Sequence, residues 1–209
     1  MNFEKENTGW RKSWQEGRTG WDLMGPHRLM PTVLERLRVE AGVQEKAKVF
    51  VPGCGRAHDA AFFAKEAFIT KASDLSYDAI EAAKSLYKDQ VGLTLAVEDV
   101  MTVSENEQFD IVFDRAMLCA MRPHQRKPYL DQVHSMLKPG AVFVGILFES
   151  VSIDENDGPP FALTQEMQRA MFLENYELVC WEHYRNQEPP KAILTEDLVI
   201  WRKKEKKAQ

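Results

Sequence analysis

Apolar positions along the chain change period repeatedly, from two residues to three or four and back. "KVFV" (48–51) predicts a strand, and "HDAAFFAKEA" (58–67) a helix with Asp59 in its first turn. "ITKASD" (69–74) predicts the next strand, after which Ser76 is placed to cap a helix over "YDAIEAAKSLY". "LTLAVED" (93–99) and "FDIVFD" (109–114) predict two more strands. A helix around "RKPYLDQVHSML" runs into "KPG" and is expected to stop at Gly140. "AVFVGILFE" (141–149) is nearly all apolar, the pattern of a strand covered on both faces. Thr164 is placed to cap "QEMQRAMFLEN". Two alternating segments, "YELVCWEHYR" (176–185) and "LTEDLVIWRK" (194–203), joined by the loop "NQEPPK", then predict a closing hairpin.

Five strands separated by helices imply an α/β fold: a doubly wound, Rossmann-like, mostly parallel sheet. With the C-terminal hairpin as an antiparallel edge, the sheet has seven strands. Residues 1–40 are expected to form an N-terminal helical lid and 46–209 the core, the whole of 1–209 making a single domain at this length.

Composition narrows the function. A hydrophobic share of 44% can bury a core and 28% charged residues can solvate its outside. The net charge of -5 argues against nucleic-acid binding, which favours a basic face. The basic tail "WRKKEKKAQ" (201–209) is expected to be a frayed, solvated end. No apolar leader opens the sequence, and its longest apolar run, Ala141 to Phe148, is too short to span a bilayer, so no membrane contact is expected. Cys54, Cys119 and Cys180 lie far apart without a CxxC pair, which points to reduced thiols in a cytoplasmic compartment. The five histidines lack the spacing of a zinc site, so no metal is expected. A monomer acting on a small molecule is the simplest expectation.

The chemistry is carried by strand ends. In "VFVPGCGRAHD" the chain leaves the first strand at Pro52 and turns through Gly53, Cys54 and Gly55. Two glycines allow backbone angles and close approaches that a Cβ forbids, so a ligand is expected against this turn. Asp74 ends the second strand roughly 20 residues later, where an acid can accept from a ribose diol. Glu98 and Asp99 end the third, near where an adenine amino group would lie. The slot of the third glycine of a dinucleotide fingerprint holds His58, and Asp59 puts a carboxylate where a pyrophosphate needs free amides. A sulfonium-bearing nucleoside, S-adenosylmethionine, fits this set better than NAD. Trp10 and Trp14 share one helical face ahead of Trp21, a surface able to stack on adenine and attract a sulfonium. Cys54, at a helix start with His58 four residues on, also fits a lowered thiol pKa and covalent catalysis. Transfer of a methyl group from a sulfonium needs no such nucleophile.

The segments "WRKSWQEGRTGWD", "FVPGCGRAHD", "SDLSYDAIEAA", "FDRAMLCAMRPHQRKPYL" and "DGPPFAL" together resemble the thiopurine S-methyltransferase family in its broad sense, which includes thiol, halide and chalcogen methyltransferases. The resemblance implies a class I methyltransferase fold with S-adenosylmethionine as donor and S-adenosylhomocysteine as product. Carried onto this chain, it implies that Trp10, Trp14 and Trp21 cover the cofactor while Pro52, Gly53, Cys54 and Gly55 approach its methionine part. Asp74 and Leu75 would hold the ribose, Asp99 and Val100 would flank the adenine, and Asp114 would close the cofactor side. Arg115 would act electrostatically on the acceptor, beside Asp114, with Pro160 and Phe161 lining its pocket. Gly53-Cys54-Gly55 and Asp74 are nearer the thiol and halide branch, whereas the arginine of "FDRA" is typical of thiopurine enzymes. A thiol, thiopurine-like or small, is therefore the first acceptor to consider, with a halide or a selenium or tellurium compound as the alternative. A NAD-dependent oxidoreductase and a non-catalytic cofactor-binding module are the readings from other classes.

Overall fold

The computed structural model describes residues 3–149, 158–185 and 195–205. The expected loop "NQEPPK" (186–191) and the end of the basic tail (206–209) lie outside that set. In chain order the elements are α1 (Phe3–Gln15), α2 (Met30–Val39), β1 (Lys48–Pro52), α3 (His58–Lys65), β2 (Ile69–Asp74), α4 (Tyr77–Leu86) and β3 (Leu93–Val97). There follow β4 (Phe109–Arg115), α5 (Met117–Ala120), α6 (Pro123–Met136), β5 (Leu137–Glu149), α7 (Gln165–Phe172), β6 (Tyr176–Arg185) and β7 (Thr195–Lys203). The strands form one seven-stranded sheet in the order β3-β2-β1-β4-β5-β7-β6, the architecture expected from the periodicity.

The chain divides into two compact units, Met1–Pro31 with Glu45–Val103, and Thr32–Gln44 with Ser104–Gln209. The segment read as a lid, 1–40, is shared between them. In the first unit β1, β2 and β3 pair in parallel, Pro52 lying opposite Ser73 and Asp74 opposite Val97. Ser76 caps α4 through its hydroxyl, which accepts from the Ala79 amide at 3.3 Å. In the second unit β4 and β5 pair in parallel, while β7 runs antiparallel to both β5 and β6. Ile111, Val112, Phe113 and the run Val142–Leu147 are buried on both faces, apart from Gly145, whose missing side chain is filled by Leu147 and Phe143. Phe172 of α7 stacks on Trp201 of β7 at 5.3 Å, closing the core at that side.

Two expectations are corrected here. Helix α6 does not stop at Gly140: it ends at Met136, Leu137 turns extended, and Gly140 lies inside β5 at φ +74°. The reason lies on β7, where the Lys203 ammonium donates to the carbonyls of His134 and Leu137 at 2.8 and 2.7 Å and so ends the helix with a cation. The tail is likewise not frayed from residue 201. Trp201 is fully buried and Lys203 nearly so, both within β7.

Within the segment expected to be helical, 1–40, α2 buries Met30, Val33, Leu34 and Leu37 at helical spacing. Among the described residues no helix is long and apolar enough to cross a membrane.

The end of β4 is fixed by a buried carboxylate. Asp114 Oδ2 accepts from the Tyr129 hydroxyl at 2.8 Å, and Oδ1 accepts from the amides of Met117 and Leu118 at 3.0 and 3.4 Å. Burial pushes its carboxyl up to about 6, against these three bonds and the charge of Arg115, which pull it down. The folded protein thus keeps a proton there between about pH 4 and 6 that the unfolded chain has released. This group's contribution to stability is present below about pH 4 and is lost as pH rises through about 6. Tyr129→Phe should lower stability by about 1–3 kcal/mol at pH 7.5, where the acceptor is ionised, and by less at pH 5. Urea denaturation at the two pH values reads this; an equal loss at both would assign the effect to packing alone.

Candidate active site

The turn after β1 is tied to the end of β2 by two adjacent bonds. The Cys54 amide donates to the Ser73 carbonyl at 2.9 Å, and the Gly55 amide donates to Asp74 Oδ2 at 2.9 Å. Gly53 and Gly55 sit at φ +56° and +54°, the left-handed region that a Cβ disfavours. A Cβ on Gly55 would also stand 3.1 Å from the Trp14 ring. Asp74 Oδ1 accepts from the Ser76 amide at 2.8 Å, so both oxygens are held by backbone amides. Burial raises the Asp74 carboxyl, and the Ser76, Gly55 and Leu75 amides pull it back.

The position of Cys54 at a helix start does not lower its thiol pKa. Burial, with the Asp74 charge adding to it, pushes this half-buried thiol well above its usual value. His58 does not serve it as a base, because its Nδ1 lies 2.6 Å from the Tyr87 hydroxyl and its Nε2 3.6 Å from Asp22.

The indoles converge. Trp21 stands edge-on to Trp10 and to Trp14, with centroids 5.1 and 6.1 Å apart. Arg11 of α1 donates to the Leu75 carbonyl at 3.1 Å, which ties this helix to the loop after β2. A second tie was not visible in the sequence. Asp22 pairs with Arg56 at 2.8 Å, and the Arg56 guanidinium lies over the Trp14 ring at 5.7 Å. Asp59, read as an awkward carboxylate at the start of α3, turns back to accept from the His27 amide at 2.7 Å. At the end of β3, Asp99 Oδ1 accepts from Met101 N at 2.9 Å and Val100 is buried, while Glu98 pairs with Lys71 at 2.8 Å.

This half-site suits a nucleoside with a cationic group better than a pyrophosphate. It offers a carboxylate, a turn stripped of Cβ atoms and a wall of indoles. The anion-binding end of α3 meanwhile carries Asp59.

In the second unit Asp114 is sealed from solvent, and Arg115, after it, is partly buried. Phe161 is held from both sides: its amide donates to the Cys119 carbonyl at 2.7 Å, and its carbonyl accepts from buried Arg126 at 3.4 Å. Arg126 also bonds the carbonyls of Leu118 and Met121 at 3.2 Å. The Arg122 guanidinium lies over the Phe161 ring at 5.1 Å, next to half-buried Pro160. Burial pushes the Cys119 thiol up to about 12. Glu40, Cys180 and Glu182 bring ligand-type atoms within 4.8 Å of one another, but Arg36 pairs with both carboxylates and fills the group.

Comparison with known proteins gives a consistent answer. The sequence model described as Thiopurine S-methyltransferase (TPMT) matches residues 5–204. Thiocyanate methyltransferase 1 of Brassica oleracea is 30% identical over 159 residues, 75% of this chain and 67% of that protein. A probable thiol methyltransferase 2 of Arabidopsis thaliana is 31% identical over 165 residues, covering 77% and 70%. Thiopurine S-methyltransferase of Aliivibrio fischeri (strain MJ11) is 30% identical over 186 residues, covering 80% and 83%. Among solved structures, the 1,6-didemethyltoxoflavin-N1-methyltransferase of Burkholderia thailandensis, with bound 1,6-didemethyltoxoflavin and S-adenosylhomocysteine, shares the fold at a TM-score of 0.75 and 21% identity. It covers 95% of this chain and 87% of that one. A glycine turn, a strand-end acid and an indole wall on a seven-stranded sheet thus agree with ancestry: the chain belongs to the thiopurine S-methyltransferase family and is an S-adenosylmethionine-dependent S-methyltransferase.

Proposed function

We propose that the chain methylates a small thiol, taken as its thiolate, with the donor held by the first unit. The observation that carries the donor site is the Gly55–Asp74 bond, which presents a tight turn and a carboxylate at adjoining strand ends. When bound, S-adenosylmethionine supplies an electrophilic methyl group, so the protein's part is alignment, charge and exclusion of water. Asp74 and the Leu75 backbone hold the ribose, Asp99 and Val100 flank the adenine, and Trp10, Trp14 and Trp21 cover the rings. Pro52, Gly53, Cys54 and Gly55 line the methionine part.

On the acceptor side Arg115 favours an anionic nucleophile, and Pro160 with Phe161 gives it an apolar wall. Asp114 holds the β4–α5 corner rather than touching the acceptor, because both its oxygens are engaged and it is fully buried. The relatives named for thiocyanate, thiol and thiopurine share a soft sulfur nucleophile, which supports this acceptor class. The free, scattered cysteines and net charge of -5 support a cytoplasmic monomer that binds neither nucleic acid nor membrane. An assay of S-adenosylhomocysteine formation against alkyl and aryl thiols, hydrogen sulfide, iodide and thiocyanate tests the acceptor; turnover of the halide alone would overturn the thiol assignment.

Three variants probe the roles. Asp74→Asn, which places an amide against the Gly55 and Ser76 donors, should weaken S-adenosylhomocysteine binding about 10- to 100-fold by calorimetry, a charge-assisted bond's worth. Arg115→Ala should raise the acceptor's KM about tenfold and move the pH profile toward higher pH, since a cation lowers the pKa of the bound thiol. An unmoved profile would remove Arg115 from acceptor binding. Cys54→Ala should keep kcat within about threefold, whereas loss of turnover beyond the 10²-fold expected of an essential group would restore the covalent route.

A further inference from the structure

The sequence shows no acid–base dyad, yet the fold builds one at the far side of the second unit. His183 of β6 and Asp197 of β7 are direct partners in the antiparallel register. His183 Nδ1 lies 2.7 Å from Asp197 Oδ1. Asp197 is fully buried, and it also accepts from Gln168 Nε2 at 3.0 Å and from Gln165 Nε2 at 3.3 Å. Gln165 Nε2 also lies 3.1 Å from Nδ1, but the 2.7 Å contact to Asp197 is the shorter, and a carboxylate oxygen accepts, so Nδ1 is assigned the hydrogen and Nε2 the lone pair. The His183 side chain is 41% exposed, and Nε2 has no partner among the described residues.

The dyad is joined to the segment that carries Phe161 through Gln165, four residues further on, whose Nε2 lies 3.1 Å from His183 Nδ1 and 3.3 Å from Asp197 Oδ1. Asp114, at the end of β4, is level with Gly145 of β5 and Val199 of β7, whereas Leu147 is level with Asp197 and His183. The dyad therefore lies two residues further toward the carboxyl end of β4 and β5, on the same face of the sheet as Asp114. Around His183 on that face, β7 presents Asp197, β6 presents Arg185 beyond it, and α7 presents neutral Gln165 and Gln168. The charged Arg169 of α7 lies over Trp181, two residues before His183, at 4.3 Å. Glu182, Tyr184 and Glu196 belong to the opposite face by alternation.

We propose that His183 Nε2 is the proton acceptor for neutral thiols, directly or through one water, and that Asp197 is its positioning residue. The S–H bond of the acceptor breaks, its electron pair stays on sulfur as thiolate, and the proton forms an Nε2–H bond. The imidazolium is stabilised by the Asp197 carboxylate and returns the proton to solvent. This rests on the S-methylation assigned above, and it extends the acceptor range to thiols that are not ionised at neutral pH.

The test compares an alkyl thiol such as 2-mercaptoethanol with an aryl thiol such as thiophenol, which is already ionised, between pH 6.5 and 9.5. His183→Gln should lower kcat/KM for the alkyl thiol about 10²-fold at pH 7, a usual general-base contribution, and much less for the aryl thiol. The alkyl loss should shrink as pH approaches the thiol's own pKa, and added imidazole should restore part of it. Asp197→Asn should show the same acceptor selectivity in smaller measure. Equal losses for both thiols, or a loss independent of pH with an unchanged melting temperature, would overturn the role of His183. Failure of the unaltered protein on every thiol at every pH would instead overturn the S-methylation reading and this proposal with it.

Discussion

A single carboxylate orders the strand ends of the first unit. Asp74 ends β2 and reaches across to the Gly55 amide, while the neighbouring Ser73 carbonyl takes the Cys54 amide. Two consecutive turn residues are thereby registered against two consecutive strand residues. The parallel ladder that sets Pro52 opposite Ser73 delivers them at the same height. Burying a carboxylate is unfavourable, which is why its pKa is raised, and the backbone amides it accepts offset that cost. The left-handed glycines follow from this geometry. A chain that must turn sharply beneath Trp14 while keeping its amides aimed at Asp74 has no room for a Cβ.

The second unit repeats the device. Asp114 ends β4 and accepts from the amides of Met117 and Leu118, as Asp74 accepts from Gly55 and Ser76. The difference is the Tyr129 hydroxyl, which takes the last direction of approach and leaves Asp114 wholly inside. Asp74 stays at the edge of solvent, whereas Asp114 is sealed in the β4–α5 corner. Identical residue types at equivalent strand ends thus take different parts because one has a tyrosine overhead.

The periodicity of the chain was enough to read the sheet, since each strand is either alternating or continuously apolar and each turn is punctuated by Gly, Pro or a cap. Ser76 and Thr164 cap their helices as their spacing suggested. Helix α2 was legible too, through Met30, Val33, Leu34 and Leu37. Gly140 misled because glycine commonly ends helices, and here a lysine 66 to 69 residues away ends the helix instead, a long-range bond with no local signal. The same holds for Arg56 with Asp22 and for His183 with Asp197. Each pair is made by tertiary register, and neither partner's neighbours in sequence hint at the other.

The state of the cysteines follows from the same physics and bears on the chemistry. A bound sulfonium donor alkylates whatever thiolate is close and aligned, including the protein's own. Cys54 lies in the glycine turn itself, and burial beside the Asp74 charge keeps it a neutral thiol. Cys119, between Asp114 and the Phe161 loop, is held protonated by burial with its thiol pushed up to about 12. Burial and neighbouring carboxylates therefore suppress the internal nucleophiles. That suppression lets an enzyme with thiols in its own turns pass a methyl group to a thiol from outside.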